Sequence, residues 1–432
     1  MRQKKIQKGA AKKTQKAKPI RDDDDDITSQ SLSEQGDAYE PEDYIETNET
    51  NEERRFRLAQ KLIEKTKKAL NDDPYLVDQD DQAADFFLKQ SEAQKRKLKV
   101  NLINSIKDFH SKNQGAFPER TLKGHIKPIT ACAFSPSKDL YTAGKDGAIL
   151  KYSHQEDFKR SIFSAGYPKD PNGHKGEILC IAISADGKRL LTGGADCMVK
   201  LWDCSGTPTF LADFQGHKAA VHMVCFRPQT TECLSASADR TLKVWEYQQK
   251  GLIQTLFGHK SEMLDLSALG QNTAVSVSYD RVPILWHLDK ETQAQFAEQP
   301  FSLDCVVSVD QQHFITGSEG GELAMWLTSK KKPTCRIPHA HKGGWVSALA
   351  SLPNSDFFVS GANDGKVVIY RVNGDAFSRE VEIPCKGVVN YAALSHDGTM
   401  LAFVESCENR LGRWTVQPKA KSQIKLITLL DK

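Results

Sequence analysis

From about Pro118 onward the chain is written in short runs of alternating apolar and polar residues broken by Gly, Asp, Ser and Asn. Arg189-Leu-Leu-Thr-Gly and Met198-Val-Lys-Leu-Trp202 alternate as half-buried strands do, and Gly194-Ala-Asp196 puts a carboxylate at the tight bend between them. Upstream the period changes. Ala59, Leu62, Ile63, Thr66 and Leu70 recur at helical spacing behind Thr50-Asn-Glu-Glu53, which has the spacing of a capping box, and Asn71-Asp-Asp-Pro74 ends the run. A second helical stretch is expected from about Gln82 to Phe109, with Phe86, Phe87, Leu98, Leu102, Ile103 and Ile106 as its apolar set. Residues 1–48 have no apolar period. They bury too little to offset the entropy of ordering and are expected to be disordered. The pattern predicts an all-β body behind a disordered, then helical, N-terminal extension.

The body repeats. Gly124-His125 leads to Asp146 and Tyr152, and Gly173-His174 leads to Asp196 and Trp202-Asp203. Gly216-His217 leads to Asp239 and Trp245, and Gly258-His259 to Asp280 and Trp286. A degenerate fifth unit ends at Trp326, a sixth runs from Ala340-His341 to Asp364 and Tyr370, and a seventh has Glu408 and Trp414 without a histidine. A period of about 40–50 residues with these marks resembles the WD-repeat β-propeller, one four-stranded blade per repeat. The expectation is therefore a seven-bladed WD40 β-propeller over residues 118–417, a helical basic extension over 49–117 and a C-terminal tail over 418–432. Seven blades close a ring without an exposed sheet edge. The resemblance implies that Pro118 to Leu122 supplies a closing strand to the last blade. The wide gap between the first two aromatics predicts an insertion at roughly Glu156 to Pro171.

Charge changes this picture less by its total than by its distribution. The net charge is +3, but residues 1–21 hold nine Lys/Arg and no acid, whereas residues 22–53 hold fourteen Asp/Glu and no base. Lys4, Lys5, Lys12, Lys13, Lys16, Lys18 and Arg21 form a cluster suited to nuclear targeting. Arg54, Arg55, Arg57 and Lys61 make the first helix strongly basic. No apolar stretch is long enough to span a membrane and no apolar segment opens the chain, so neither a membrane span nor a secretory signal is expected. The ten cysteines are scattered without a C-x-x-C pair. They read as reduced core residues, and no metal site is expected.

The His, Ser/Thr and Asp residues could suggest hydrolytic machinery. They recur at the blade period, however, and an enzyme needs one special copy. No phosphate-binding loop or nucleophile elbow accompanies them, so no catalytic residue and no cofactor is expected. The WD-repeat resemblance implies instead that His174-Thr192-Asp196-Trp202, His217-Ser235-Asp239-Trp245 and His259-Ser276-Asp280-Trp286 are structural hydrogen-bonded sets. A basic rim on the face that carries these loops is expected from Lys145, Lys175, Lys218, Arg240, Lys260, Arg281 and Lys342, in positions suited to phosphate contacts.

Three segments narrow the resemblance. Glu49-Thr-Asn-Glu-Glu-Arg-Arg-Phe-Arg-Leu-Ala-Gln-Lys-Leu-Ile-Glu64, Ser235-Ala-Ser-Ala-Asp-Arg-Thr-Leu-Lys-Val-Trp245 with Thr255-Leu-Phe-Gly-His259, and the fifth unit from Phe314 through Trp326 to Lys330-Lys-Lys-Pro333 resemble one WD-repeat family. It is the family of propeller proteins of the U3 small nucleolar ribonucleoprotein, the U3 small nucleolar RNA-interacting protein 2 family. The resemblance spans about residues 49 to 416. It implies a non-enzymatic component of the box C/D particle that binds U3 small nucleolar RNA beside the kink-turn-binding protein and other core proteins. It further implies support of pre-18S rRNA processing with the small-subunit processome proteins, in the nucleolus of the nucleus, with no membrane and no small-molecule substrate. The alternative is a WD adaptor that binds only protein, as a ubiquitin-ligase substrate receptor or in a spliceosomal or chromatin complex.

Overall fold

A computed structural model describes residues 101–418 and 420–430. Seven four-stranded antiparallel sheets follow one another around a ring. The first six each use consecutive strands, as in blade two with Ile178–Ile183, Arg189–Gly194, Val199–Asp203 and Thr209–Phe214 from the inside outward. The inner pair of every blade carries a register shift near the start of its first strand, as between Ile178 and Cys180. One extra residue there bends the strand and raises its twist, which is what a sheet needs to become a propeller blade.

The seventh blade is built from both ends of the ring. Its sheet runs Glu119–Leu122, Gln423–Thr428, Met400–Ser406 and Val388–Leu394 from outside to inside. Glu119–Leu122 is the closing strand expected from the sequence, and Leu122 sits opposite Ile424. The third strand lies elsewhere than expected. Glu408–Asn409 and Gly412–Val416, which include the residues read as the seventh repeat's acid and tryptophan, form a separate two-stranded hairpin. Gln423–Thr428, expected as tail, takes the third position and buries Ile424, Leu426 and Ile427. The propeller therefore extends beyond residue 417. The sequence hid this because the hairpin imitates the spacing of a repeat and displaces the true strand.

The inner strands are tied blade to blade by a closed circuit of side-chain contacts. Thr130 Oγ1 donates to the Ile178 carbonyl at 2.6 Å and Cys180 Sγ to the Val221 carbonyl at 3.8 Å. His222 Nδ1 lies 2.8 Å from the Met263 carbonyl. Asp265 accepts the Val306 N–H at 2.8 Å, and Cys305 Sγ meets the Val346 carbonyl at 3.2 Å. Ser347 Oγ donates to the Val389 carbonyl at 2.5 Å, and Asn390 Nδ2 to the Ile129 carbonyl at 3.1 Å, which returns the circuit to blade one. Adjacent blades share no sheet hydrogen bonds, so these contacts fix the angular order of the ring alongside apolar packing. Cys180 and Cys305, read from sequence as core residues, are also links in it.

Of the expected helix at 82–109, the described part is a helix over Ile103–Lys112. Ile103 and Ile106 are fully buried in a cluster with Leu352, Phe357 and Ile369 of blade six and Leu401 and Phe403 of blade seven. Asp356 accepts the N–H groups of Leu102 and Ile103, placing a carboxylate at the helix N-terminus where the backbone dipole favours it. Lys107 pairs with Glu380 at 2.6 Å. The helix at 50–70 and the basic and acidic segments ahead of it lie outside the described residues. The insertion expected at 156–171 is narrower than drawn. Lys159–Ser164 is the ordinary outer strand of blade one, and the extra length is the loop that follows it.

Candidate nucleic-acid interface

Strand direction puts two sets of connections on one face, here termed the top. They are the loops that enter each inner strand, which carry the histidines, and the turns between second and third strands, which carry the aspartates. Each complete set is a directed chain. Trp202 Nε1 donates to Thr192 Oγ1 at 3.0 Å, Thr192 Oγ1 lies 2.8 Å from His174 Nε2, and His174 Nδ1 lies 3.0 Å from Asp196. The indole N–H can only donate, so the hydroxyl proton is left for Nε2 and the ring's Nδ1–H is assigned to the carboxylate. Blades three and four repeat the chain. Trp245 Nε1 and His217 Nε2 meet Ser235 at 2.8 and 2.7 Å, and Trp286 Nε1 and His259 Nε2 both meet Ser276 at 2.7 Å. Tyr152 and Tyr370 occupy the tryptophan place in blades one and six, where His125–Asp146 and His341–Asp364 are also paired. Blade five keeps only the link from Trp326 Nε1 to Thr316 at 3.0 Å. In each chain the carboxylate and histidine are spent on one another and on backbone, so the sets hold loops and offer no nucleophile.

The carboxylates of Asp146, Asp196, Asp239, Asp280 and Asp364 lie below the usual range. Burial alone would raise them. The histidine hydrogen bond and charge, with backbone N–H groups, outweigh it. Asp265 and Asp304 behave oppositely and are pushed up to about 6 and about 8, chiefly by burial. The signs give a stability profile. The first five contribute stability that is present above the unfolded value of about 3.9 and lost as pH falls through their folded values. Asp265 and Asp304 contribute stability that is present at low pH and lost as pH rises through about 6 and about 8. The urea midpoint of the chain is expected to rise modestly from pH 8 to 5 and to fall steeply below about pH 4. A midpoint independent of pH between 3 and 5 contradicts the linkage.

The predicted rim residues divide. Lys175, Lys218, Lys260, Arg240, Arg281 and Lys342 are exposed on the top face. The backbone N–H groups of Lys175, Lys218 and Lys260 donate to the aspartates of their blades at 2.9–3.0 Å, which holds the loops while the side chains stay free to reach outward. Lys175 lies 5.8 Å over the Tyr167 ring. Arg281 pairs with the exposed Glu298. Lys145 is a correction. Only 7% exposed, it is 2.9 Å from Glu408 and donates to the Asn409 carbonyl at 3.1 Å, so it clamps the hairpin to blade one and cannot reach a phosphate. Arg54, Arg55, Arg57 and Lys61, and the targeting cluster from Lys4 to Arg21, lie outside the described residues.

Two features escaped sequence reading. The residue after each turn aspartate has positive φ, with Gly147 and Gly365 at this place in blades one and six and Cys197 in blade two, and Gly321 holds the corresponding position in blade five, which has no aspartate. Arg240 and Arg281 occupy it at φ 68° and 67°. A side chain there costs on the order of 1 kcal/mol relative to glycine. Repeat spacing marks the position, but only backbone geometry shows its cost. The second feature is the hairpin. From Glu408–Asn409 it crosses the top of the ring and sends Arg410 into the central channel, where its guanidinium donates to the carbonyls of His222 and Leu264 at 3.2 and 3.1 Å. Asn390 Nδ2 holds the Glu408 carbonyl at 2.9 Å and Gln417 Nε2 the Asn363 carbonyl at 3.1 Å.

The fold and its recurrent sets define a seven-bladed WD-repeat propeller. The WD domain, G-beta repeat, matches residues 117–153, 168–203, 208–246 and 332–371. The chain is 30% identical to the U3 snoRNP-associated protein-like EMB2271 of Arabidopsis thaliana, over 93% of this chain and 90% of that protein. It is 28% identical to U3 small nucleolar RNA-interacting protein 2 of Mus musculus, over 88% of this chain and 82% of that one. The solved structure of U3-55K superposes with a TM-score of 0.69 at 29% identity, covering 72% of this chain and 98% of that structure. The chain belongs to the family of U3 snoRNP-associated WD-repeat proteins.

Proposed function

We propose that the protein is a non-enzymatic component of the U3 box C/D particle that binds U3 small nucleolar RNA through its top face. In this reading it works beside the kink-turn-binding and other core proteins, within the small-subunit processome of the nucleolus, in the processing that yields 18S rRNA. The observation that carries direct RNA contact is the placing of Arg240 and Arg281 at the strained turn position that blades one, five and six fill with glycine. Strained side chains persist where something over-determines them, and cations flanked by Lys175, Lys218 and Lys260 suit phosphates. Tyr167 on a loop and Phe257 at the end of the outer strand Gly251–Phe257 are exposed and can stack on unpaired bases, and exposed Ile126 adds apolar surface.

Crosslinking in cells with recovery of bound RNA tests the reading, and U3 RNA no more enriched than other small RNAs would refute it. In vitro, Arg240→Glu with Arg281→Glu is expected to weaken RNA binding at least tenfold. The same variant should lower the salt slope of binding by about two while leaving the melting temperature in place. Unchanged affinity, or loss of the fold, would assign those arginines to structure. The exposed apolar residues would also serve the protein-only adaptor, for which RNA affinity should not fall with salt.

A further inference from the structure

Beside the hairpin, on the blade four to blade six side of the channel mouth, lies a small recess of about 40 Å³ whose chemistry opposes that of the rim. Tyr279 and Trp345 are aromatic walls, Asp304 supplies a carboxylate, and Asn409 closes one side. Three observations point to a ligand. Asn409 is only 5% exposed, and both polar atoms of its amide are buried without a partner. Blade five has no histidine or aspartate in its structural set, so Asp304 is not consumed as the turn aspartates are. Glu319 and Glu262 add negative charge around Tyr279 and Asp304, opposed by the cation Arg410. Two of the hydrogen-bonding groups of Arg410 are already spent on the channel carbonyls.

We propose that this recess receives the guanidinium of an arginine presented by a protein partner. The planar cation would lie against the aromatic faces of Tyr279 and Trp345 and donate to Asp304 and to Asn409 Oδ1. Asn409 Nδ2 would remain to donate to a main-chain carbonyl of the same peptide. Acidic groups disfavour phosphate here, so protein at the mouth and RNA on the rim divide one face by charge. The inference does not rest on RNA binding, and failure of either leaves the other standing.

The test uses the full chain with Nα-acetyl-arginine methylamide and its citrulline counterpart, which keeps the shape and loses the charge, followed by calorimetry and ligand-detected NMR. Arginine is expected to bind at least tenfold more tightly than citrulline. The preference should vanish in Asp304→Asn, a variant that keeps the volume and cannot become a carboxylate. Burial and Glu319, partly offset by Arg410, push the Asp304 carboxyl up to about 8, so it must lose its proton to hold the cation. Arginine binding should therefore strengthen several-fold from pH 6.5 to 8.5. Equal binding of the two probes by the unaltered chain overturns the proposal without reference to any variant. So does an arginine preference that survives Asp304→Asn, or tighter binding of adenosine monophosphate at the recess than of the arginine probe.

Discussion

A chain ending at Pro418 is expected to lose its cooperative thermal transition and to expose apolar surface, although it retains every recognisable repeat mark. Gln423–Thr428 pairs with Met400–Ser406 on one side and Glu119–Leu122 on the other. Its removal leaves the closing strand without a partner and blade seven with only its two inner strands. Ile424, Leu426, Ile427 and Leu429 are buried, and their loss forfeits about 1.5–3 kcal/mol each. The total is on the order of the whole stability of an ordinary domain. Circular dichroism melts and dye binding on the full and shortened chains decide the matter. A shortened chain that melts at the temperature of the full one would show that the ring closes by other means.

Lys145→Met is expected to destabilise the protein by about 3–5 kcal/mol, the usual consequence of removing one partner from a buried ion pair. Lys145 and Glu408 are each 7% exposed at the side chain, so the remaining carboxylate would stay dehydrated opposite an apolar group. The double variant Lys145→Met with Glu408→Leu should recover most of that stability, because an apolar pair of similar volume carries no desolvation penalty. RNA affinity per folded molecule should be unchanged in both. Urea unfolding with parallel binding measurements separates the outcomes. A Lys145→Met protein of full stability and reduced RNA affinity would return this lysine to the rim.

Both predictions arise where spacing misled. Glu408 and Trp414 imitate a seventh repeat because an acid and an aromatic stand six apart there as in the blades. What decides strand identity is pairing, and pairing is non-local: Leu401 opposes Ile427 across the hairpin and its following turn. Lys145 reads as a rim residue because it adjoins Asp146 at the exposed end of a blade. Its burial depends on the hairpin, distant in sequence, that folds down over it. By contrast, His174, Thr192, Asp196 and Trp202 were legible as one set, since each contact joins residues of a single blade and local turns fix their distances.

The repeat period, the alternation of strands and the fourfold recurrence of Gly-His with Asp and an aromatic residue are local properties, and the sequence by itself determined the seven-bladed ring and its structural hydrogen-bond sets. It also determined that the top-face loops carry Lys175, Lys218, Lys260, Arg240, Arg281 and Lys342. Only the tertiary structure decided how the ring closes, which lysine is a clamp, and what covers the channel mouth. The contact circuit from Thr130 round to Asn390, the insertion of Arg410 and the recess beneath Asn409 join residues from different blades. No spacing along the chain encodes such proximity. It exists once seven blades have packed into a ring, because closure brings the first inner strand beside the last.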